Sequence, residues 1–187
     1  FWECCVTMND SWGYNKKDRN IKSVRQCVRM LAECSGMGGN LLLDVGPKSD
    51  GTIPEDQVAT LKGIGRWLKK HGEAIYGSVA GLPPGHFYGP STMNKAGDVI
   101  YLVLFDIPRD EIAIKGIRNK IRNASVLGGG AVKHRTIGGA PWANRPGVLW
   151  IDVPKDALDP DATVIKIELD GNLDLYTGTG GMVTHNP

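Results

Sequence analysis

Two segments near the start of the chain carry the hydrophobic period of an amphipathic helix. In the first, apolar residues recur at every third or fourth position up to Gly36, which predicts a helix over about residues 22–35. In the second, Pro54 precedes two acidic residues and a similar pattern that ends in basic residues before Gly72, the charge order that favours a helix. The faces expected to be buried are Val24, Cys27, Val28, Leu31 and Ala32 in the first helix, and Val58, Leu61, Ile64 and Leu68 in the second.

Between these helices, the run GNLLLDVGP is typical of a fully buried parallel strand. Helix, strand and helix are part of a wound α/β structure, whose other strands we expect outside residues 1–78. The apolar faces of residues 41–45 would then lack neighbouring strands: Leu41, Leu42, Leu43 and Val45. We therefore expect the natural unit to include residues before Phe1, or a tightly bound partner fragment.

The pattern changes near residues 77–84. From there on, Gly and Pro separate short segments rich in β-branched residues, which indicates an antiparallel sandwich or barrel. The predicted strands are 98–105, 111–115, 120–127, 131–137, 147–153 and 163–169.

Charge and composition exclude some classes of protein. The formal net charge is +2, and acidic and basic residues balance on either side of residue 78, so we expect no nucleic-acid partner. No stretch approaches the roughly 20 apolar residues of a membrane span. The cysteines have neither metal-ligand nor convincing disulfide spacing, which favours buried thiols and no metal site.

The opening stretch FWECCVTMNDSWGY combines aromatic rings with polar side chains. A buried core uses rings such as Trp12 and Tyr14, but it has no use for Glu3 or for the polar residues 9–11. A sugar-binding cleft uses both kinds of side chain.

Three segments carry a resemblance to a known family: FWECCVTMNDSWGYN, GMGGNLLLDVGPKSDGTIP and LKGIGRWLKKHGEAIYGS. They resemble, in this order, signatures of the α-L-fucosidases of glycoside hydrolase family 29. The resemblance implies an α/β part followed by an all-β part. Residues 1–78 are then the C-terminal portion of a (β/α)8-like catalytic barrel, and residues 79–187 are an antiparallel β-sandwich domain.

The resemblance also implies a reaction. Enzymes of this family are retaining exo-glycosidases that release terminal α-L-fucose from fucosylated glycans or fucosides, without metal or organic cofactor. Their aspartate nucleophile lies on an earlier strand that nothing in this sequence matches. Glu3 matches a carboxylate near the active site, and it is a candidate for supporting the acid/base or for being that acid. Trp12 matches the aromatic residue that packs against the sugar, and Tyr14 is expected to contact sugar beside it, unless both rings only brace the loop.

Asp44 departs from the family, which has Asn at this position on the rim of the barrel. A carboxylate there either raises the pKa of a neighbouring acid by like-charge repulsion, or pairs with an Arg or Lys without effect on catalysis.

Two functions remain open. The first is part of an α-L-fucosidase that works with the remainder of the barrel. The second is a non-catalytic carbohydrate-binding or assembly module. Either is compatible with a homo-oligomer, and the first predicts a secreted, periplasmic or lysosomal location.

Overall fold

The computed structural model describes residues 2–106, 109 and 111–178, and its first part is a strand-helix-strand-helix unit. The elements are β1 (Glu3–Thr7), α1 (Val24–Gly36), β2 (Asn40–Asp44) and α2 (Glu55–His71). β1 and β2 pair in parallel, with Glu3 opposite Asn40 and Thr7 opposite Asp44. A parallel pair needs a long crossover, and α1 supplies it.

The first predicted helix is confirmed to within two residues. Ser23 caps α1 because its hydroxyl accepts the amide of Gln26 at 3.2 Å, while the Gln26 side chain accepts the amide of Ser23 at 2.8 Å. Cys27, Val28 and Ala32, on the predicted face, are buried.

β1 was not predicted, and the expectation that every strand partner of β2 lies outside residues 1–78 is wrong. Its sequence, ECCVT, does not show the alternation of polar and apolar residues that is typical of a strand, because the same residue type, cysteine, occupies adjacent positions on opposite faces. Cys4 lies on the side of α1, where its thiol neighbours that of Cys34, and Cys5 is exposed on the other side. The expectation of buried thiols therefore holds for Cys27 and Cys34 but not for Cys5.

β2 is less buried than its apolar sequence predicted. Leu41 and Leu43 are half-buried, whereas Leu42, on the opposite face, is 44% exposed. In the described residues only one face of this sheet is covered, although parallel sheets are normally buried on both.

α2 is where the second helix was predicted, but it buries a different face. Its buried side is a stripe of polar, small and aromatic residues, and the predicted apolar face is only half-buried beside it. The buried positions are Gln57, Thr60, Gly63, Trp67 and His71; the half-buried ones are Val58, Leu61, Ile64 and Leu68. Neither α1 nor α2, nor any shorter helical turn in the described ranges, is long and apolar enough to cross a bilayer.

The second part consists of two antiparallel sheets. The first has the order β3-β4-β5-β10-β7 and the second has the order β6-β9-β8. The strands are β3 (Val79–Ala80), β4 (Ser91–Met93), β5 (Val99–Leu104), β6 (Glu111–Lys115), β7 (Ile121–Val126), β8 (His134–Ile137), β9 (Val148–Asp152) and β10 (Thr163–Leu169). All six predicted strands are present, and the two that were missed, β3 and β4, are short and lie in the Gly- and Pro-rich segment.

The two sheets enclose a hydrophobic core. Alternate residues of each strand point inward, as Ile100 and Leu102 do in β5 and Ile112 and Ile114 do in β6. These side chains are almost entirely buried. This packing is that of a β-sandwich.

A second hydrophobic cluster joins the helices to the sandwich. Val28 of α1 and Trp67 of α2 pack against Tyr101, Val103 and Val164 on the outer face of the five-stranded sheet. The indole of Trp67 also donates to the carbonyl of Ala162 at 2.8 Å. β5 and β10 are thus covered on both faces, which explains their continuous apolar sequences.

Polar contacts add to this joint. The carboxylate of Glu73, just after α2, accepts the Tyr101 hydroxyl and the Lys166 ammonium, both at 2.7 Å. Arg29 of α1 donates to the carbonyl of Phe105 at 2.7 Å and lies 4.8 Å above the centre of that ring. Each contact links a helix or its end to the sandwich.

Gly63 sets the distance between the two helices, which gives the first prediction. A Cβ at this position would lie 2.3 Å from Val24 Cγ2, whose branched side chain has little freedom to move. We expect Gly63→Ala to destabilise the protein by about 1–2 kcal/mol, because overpacking outweighs the gain in helix propensity. Urea unfolding measures this change.

Gly65 provides the matched control on the same helix. A Cβ there meets nothing within 4 Å, so Gly65→Ala should stabilise the protein by up to about 1 kcal/mol. Equal effects of the two substitutions would contradict the proposed contact between the helices.

His71 is a buried histidine at the same joint. Its ring is completely buried at the end of α2, Nε2 lies 3.3 Å from Asp159 Oδ2, and the ring is 5.0 Å from that of Trp67. Burial lowers the pKa of His71 below its ordinary value, against the opposing effect of Asp159. The folded protein therefore holds this side chain as a neutral imidazole.

This burial predicts a pH dependence of stability. Below about pH 6.5 the unfolded chain binds a proton at His71 that the folded chain does not, so the free energy of unfolding should fall as the pH drops through that range. His71→Gln should reduce this slope, as measured by urea unfolding between about pH 7.5 and 5.5. A wild-type slope in His71→Gln would contradict the assignment.

Candidate functional site

The face of the parallel sheet that points away from α1 is mostly polar. Side chains alternate along a strand, so residues paired at every second position share this face. It carries Glu3, Cys5 and Thr7 from β1, and Asn40, Leu42 and Asp44 from β2. A face of this composition suits a binding site better than a hydrophobic core.

The loops that follow β1 and β2 meet at the carboxyl end of the sheet. The amide of Met8 donates to the carbonyl of Asp44 at 2.8 Å, and Met8 and Asn9 are buried beneath the loop. Gly46 lies so close to the first loop that a Cβ would be 2.8 Å from the amide nitrogen of Tyr14. Only glycine permits this approach of the two backbones.

Trp12 and Tyr14 are both presented to solvent by the first loop. Trp12 is 64% exposed and Tyr14 is 45% exposed, which is unusual for large aromatic side chains. Tyr14 borders a cavity of about 350 Å³ between this loop and the start of α2. Its lining is strongly polar and includes Asn9, Lys16, Asp18, Arg19, Lys48 and Gln57.

Asp18 fixes the loop that carries the two rings. One oxygen accepts the Asp10 amide at 3.0 Å and the Ser11 hydroxyl at 2.9 Å, and the other accepts the Asn20 amide at 3.1 Å. Desolvation raises the pKa of Asp18, but these hydrogen bonds outweigh it, and the pKa lies below its ordinary value. The carboxylate therefore stays ionised and holds the loop closed on itself.

Asp44 ends β2 on the polar face. Its Oδ2 is buried and has no hydrogen-bond partner among the described residues, and within them no ion pair to Asp44 is present. The arginine or lysine partner considered from the sequence is therefore not found in the described ranges. A buried carboxylate oxygen without a donor is costly, and in native proteins such a group usually has a polar partner.

Glu3 lies at the opposite end of the sheet from the aromatic loop. It begins β1, it is exposed, and its carboxylate is 3.5 Å from the thiol of Cys5. The hydrogen bond to Glu3 raises the pKa of that thiol. Four residues of strand separate the level of Glu3 from the level of Asp44, or roughly 13 Å.

The structure thus groups three of the four predicted site residues. Trp12 and Tyr14 flank Gly13, whose backbone packs against Gly46, and Gly46 lies two residues after Asp44. Glu3 lies on the same face of the sheet as Asp44 but at its other end. Sequence reasoning missed Asp18 and Lys48. The only signal for Asp18 was the density of Asn and Asp after residue 8, and the interval of eight residues from Asp10 gave no reason to pair the two.

Comparisons with known proteins point to one family. The α-L-fucosidase family model matches residues 1–73. The α-L-fucosidase of Dictyostelium discoideum is 34% identical over 135 residues, which cover 68% of this chain and 29% of that protein. Human plasma α-L-fucosidase is 41% identical over 78 residues, or 40% of this chain and 17% of that protein.

Solved structures agree with the sequence comparison. α-L-Fucosidase isoenzyme 1 from Paenibacillus thiaminolyticus superposes with a TM-score of 0.79 and 33% identity, over 90% of this chain and 40% of that one. The enzyme from Vibrio sp. strain EJY3 gives a TM-score of 0.83 and 28% identity, over 94% of this chain and 31% of that one.

The chain resembles the C-terminal part of the family 29 α-L-fucosidases. The likeness to fucosidase structures covers both the helical part and the sandwich, so the predicted fold class is confirmed. The chain spans less than half the length of these fucosidases.

The aromatic loop yields a prediction about its order. Asp18→Ala removes the acceptor of the Asp10 and Asn20 amides, so both should exchange with solvent deuterium roughly three to ten times faster. Hydrogen exchange followed by NMR resolves the individual amides.

Asp50→Ala is the reciprocal control. Asp50 accepts the amide of Thr52 at 2.9 Å in the neighbouring loop, so only the Thr52 amide should exchange faster in that variant. Unchanged exchange at Asp10 and Asn20 in Asp18→Ala would show that Asp18 does not order the loop.

Proposed function

We propose that this chain is the C-terminal part of a retaining α-L-fucosidase, with residues 1–78 completing a catalytic barrel and residues 79–187 forming the sandwich domain. The observation that carries the proposal is that the family match at residues 1–73 falls on a sheet whose free face is polar and ends in an exposed aromatic loop. Barrel enzymes bind substrate at the carboxyl ends of their strands, where this loop lies.

The parallel sheet of β1 and β2 needs further strands beside it. Two parallel strands do not form a stable sheet alone, and in the described residues both outer edges of the pair are unpaired. Leu42 is exposed on one side of it. The half-buried apolar face of α2, represented by Val58 and Leu61, also calls for a neighbour. The remainder of a barrel, upstream in the same protein, supplies the strands and the cover.

The side chains of the candidate site match the chemistry of L-fucose. L-Fucose is a 6-deoxy sugar, so it offers a methyl group and an apolar C–H face as well as hydroxyls. The exposed rings of Trp12 and Tyr14 suit the apolar face, and carboxylates suit the hydroxyls. We assign Trp12 and Tyr14 to sugar contact, and Asp44 to a hydrogen bond from substrate or from an upstream donor, because its buried oxygen lacks a partner in the described chain.

Glu3 and Asp44 lie too far apart to be the two carboxyl groups of the reaction. A retaining glycosidase uses two carboxyl groups about 5–5.5 Å apart, one as nucleophile and one as acid/base. Glu3 and Asp44, separated by roughly 13 Å along the sheet, do not form such a pair. The nucleophile therefore belongs to the upstream chain, and we assign Glu3 to supporting the acid/base rather than to protonating the leaving group.

The proposal includes a fucosylated glycan or fucoside as substrate, with a covalent fucosyl intermediate on the upstream nucleophile and no cofactor. One matched relative is a plasma enzyme, which supports a location outside the cytosol, whether secreted, periplasmic or lysosomal.

The test is turnover by the whole natural protein. Its intact mass should exceed the 20.2 kDa of this chain, and it should hydrolyse an aryl α-L-fucoside but not the corresponding β-D-galactoside. Trp12→Ala should raise KM about tenfold and change kcat less, because it removes a contact made by substrate and transition state alike.

Trp142 supplies the control for Trp12. It is 88% exposed but lies on the sandwich, so Trp142→Ala should leave both kinetic constants unchanged. A natural protein of 20.2 kDa without turnover would replace the enzyme proposal with the non-catalytic module.

A further inference from the structure

The three-stranded sheet has an outer face that the sandwich core does not use. In β6 and β9, Ile112, Ile114, Leu149 and Ile151 point into the core. The alternate residues point outward on the side of the sandwich away from α1 and α2. They include Glu111 and Ala113 in β6, Trp150 and Asp152 in β9, and Arg135 in β8.

Trp150 occupies the middle of this face. The strand register places Ala113 on one side of it and Arg135 on the other. Directly opposed side chains in a sheet lie about 5 Å apart, so the small Ala113 leaves one side of the indole without a bulky neighbour. The indole itself is only half-buried.

Fixed polar groups surround the indole. Glu111 and Asp152 are opposite each other in the register, and Arg135 pairs with both carboxylates, at 3.3 Å from Asp152. These ion pairs hold the three side chains in place, and the hydrogen bond from Arg135 keeps the pKa of Glu111 below its ordinary value. Carboxylates accept more than one hydrogen bond per oxygen and a guanidinium has five N–H donors, so both retain capacity for hydroxyl groups.

Trp150 and the two carboxylates, Glu111 and Asp152, line a cavity of about 1240 Å³, large enough for several sugar rings. Its floor and walls also include Val132, Val153 and Pro154. Among the residues that the structure describes, the charged lining is balanced, which favours a neutral ligand over an anion or a cation. The acidic residues are Glu111, Asp152 and Asp156, and the basic ones are Arg109, Lys133 and Lys155.

We propose that this cavity binds a neutral oligosaccharide, with one sugar ring stacked on Trp150 and its hydroxyls hydrogen bonded to Glu111 and Asp152, which Arg135 holds in place. An apolar ring face with a rim of hydroxyls matches an indole with a rim of carboxylate and guanidinium groups. The site does not depend on the proposed fucosidase activity, and it would hold a glycan to the sandwich domain.

The test uses a probe that contains no fucose, so that a fucosidase active site cannot turn it over. Binding of the neutral tetrasaccharide lacto-N-tetraose to the whole protein is followed by a saturation-transfer NMR titration. Trp150→Ala should weaken binding about tenfold or more, the usual effect of removing an aromatic anchor. Trp142→Ala removes an indole that is more exposed but lies outside the cavity, and it should leave the affinity unchanged.

A second variant guards against misfolding of Trp150→Ala. Ala113→Leu keeps the indole but places a branched side chain against it, and it should also weaken binding about tenfold while leaving the thermal midpoint near that of the wild type. The proposal is overturned if the wild-type protein does not bind the tetrasaccharide, or if Ala113→Leu binds it as well as Trp142→Ala does. It is also overturned if Trp150 instead mediates self-association, seen as a dimer in sedimentation that Ala113→Leu abolishes.

Discussion

The packing of α1 and α2 against the outer face of the five-stranded sheet holds the two parts of the chain together. Without the sandwich, β1, β2 and their two helices are too small a unit to enclose a core. Trp67 and Val28 find their hydrophobic neighbours on β5 and β10, and the indole hydrogen bond to Ala162 fixes the position of α2. The sandwich, in turn, needs the helices, because Tyr101 and Val103 would otherwise be exposed.

This joint determines what the sheet of β1 and β2 can do. Because the helices are held on one side, the other side, with Glu3, Thr7 and Asp44, is left open, and the loops at its carboxyl end are free to present Trp12 and Tyr14. The stripe that α2 buries combines polar, small and aromatic residues because it meets both α1 and the sandwich. Gly63 allows close approach to α1, while the larger apolar residues beside it remain half-buried for a further layer.

Sequence reasoning succeeded where a strand or helix is decided by its own pattern. The six longer sandwich strands were predicted from β-branched segments separated by Gly and Pro, and both helices were predicted from their 3.6-residue period. It failed for β1, because two adjacent cysteines mask the alternation of a strand. It also failed for the buried face of α2, because contact with Val24 of α1 and with the sandwich, rather than hydrophobicity, decides which residues of α2 are buried. The exposed aromatic residues of the candidate site were identified from local composition, but the role of Asp18 depends on a loop closure that no local pattern specifies.

Asp44 is the residue at which the packing of the sheet bears on the proposed reaction. Asp44 is level with Thr7 at the carboxyl end of the sheet, and one oxygen is buried without a donor in the described residues. Burying a carboxylate oxygen without a donor destabilises the folded protein, unless a partner replaces the hydrogen bond to water that is lost. Under the proposed function, that partner comes from the upstream barrel strands or from a sugar hydroxyl. Under the same proposal, Asp44 lies on the substrate side of the barrel, at the carboxyl end of the strands where barrel enzymes carry out their chemistry.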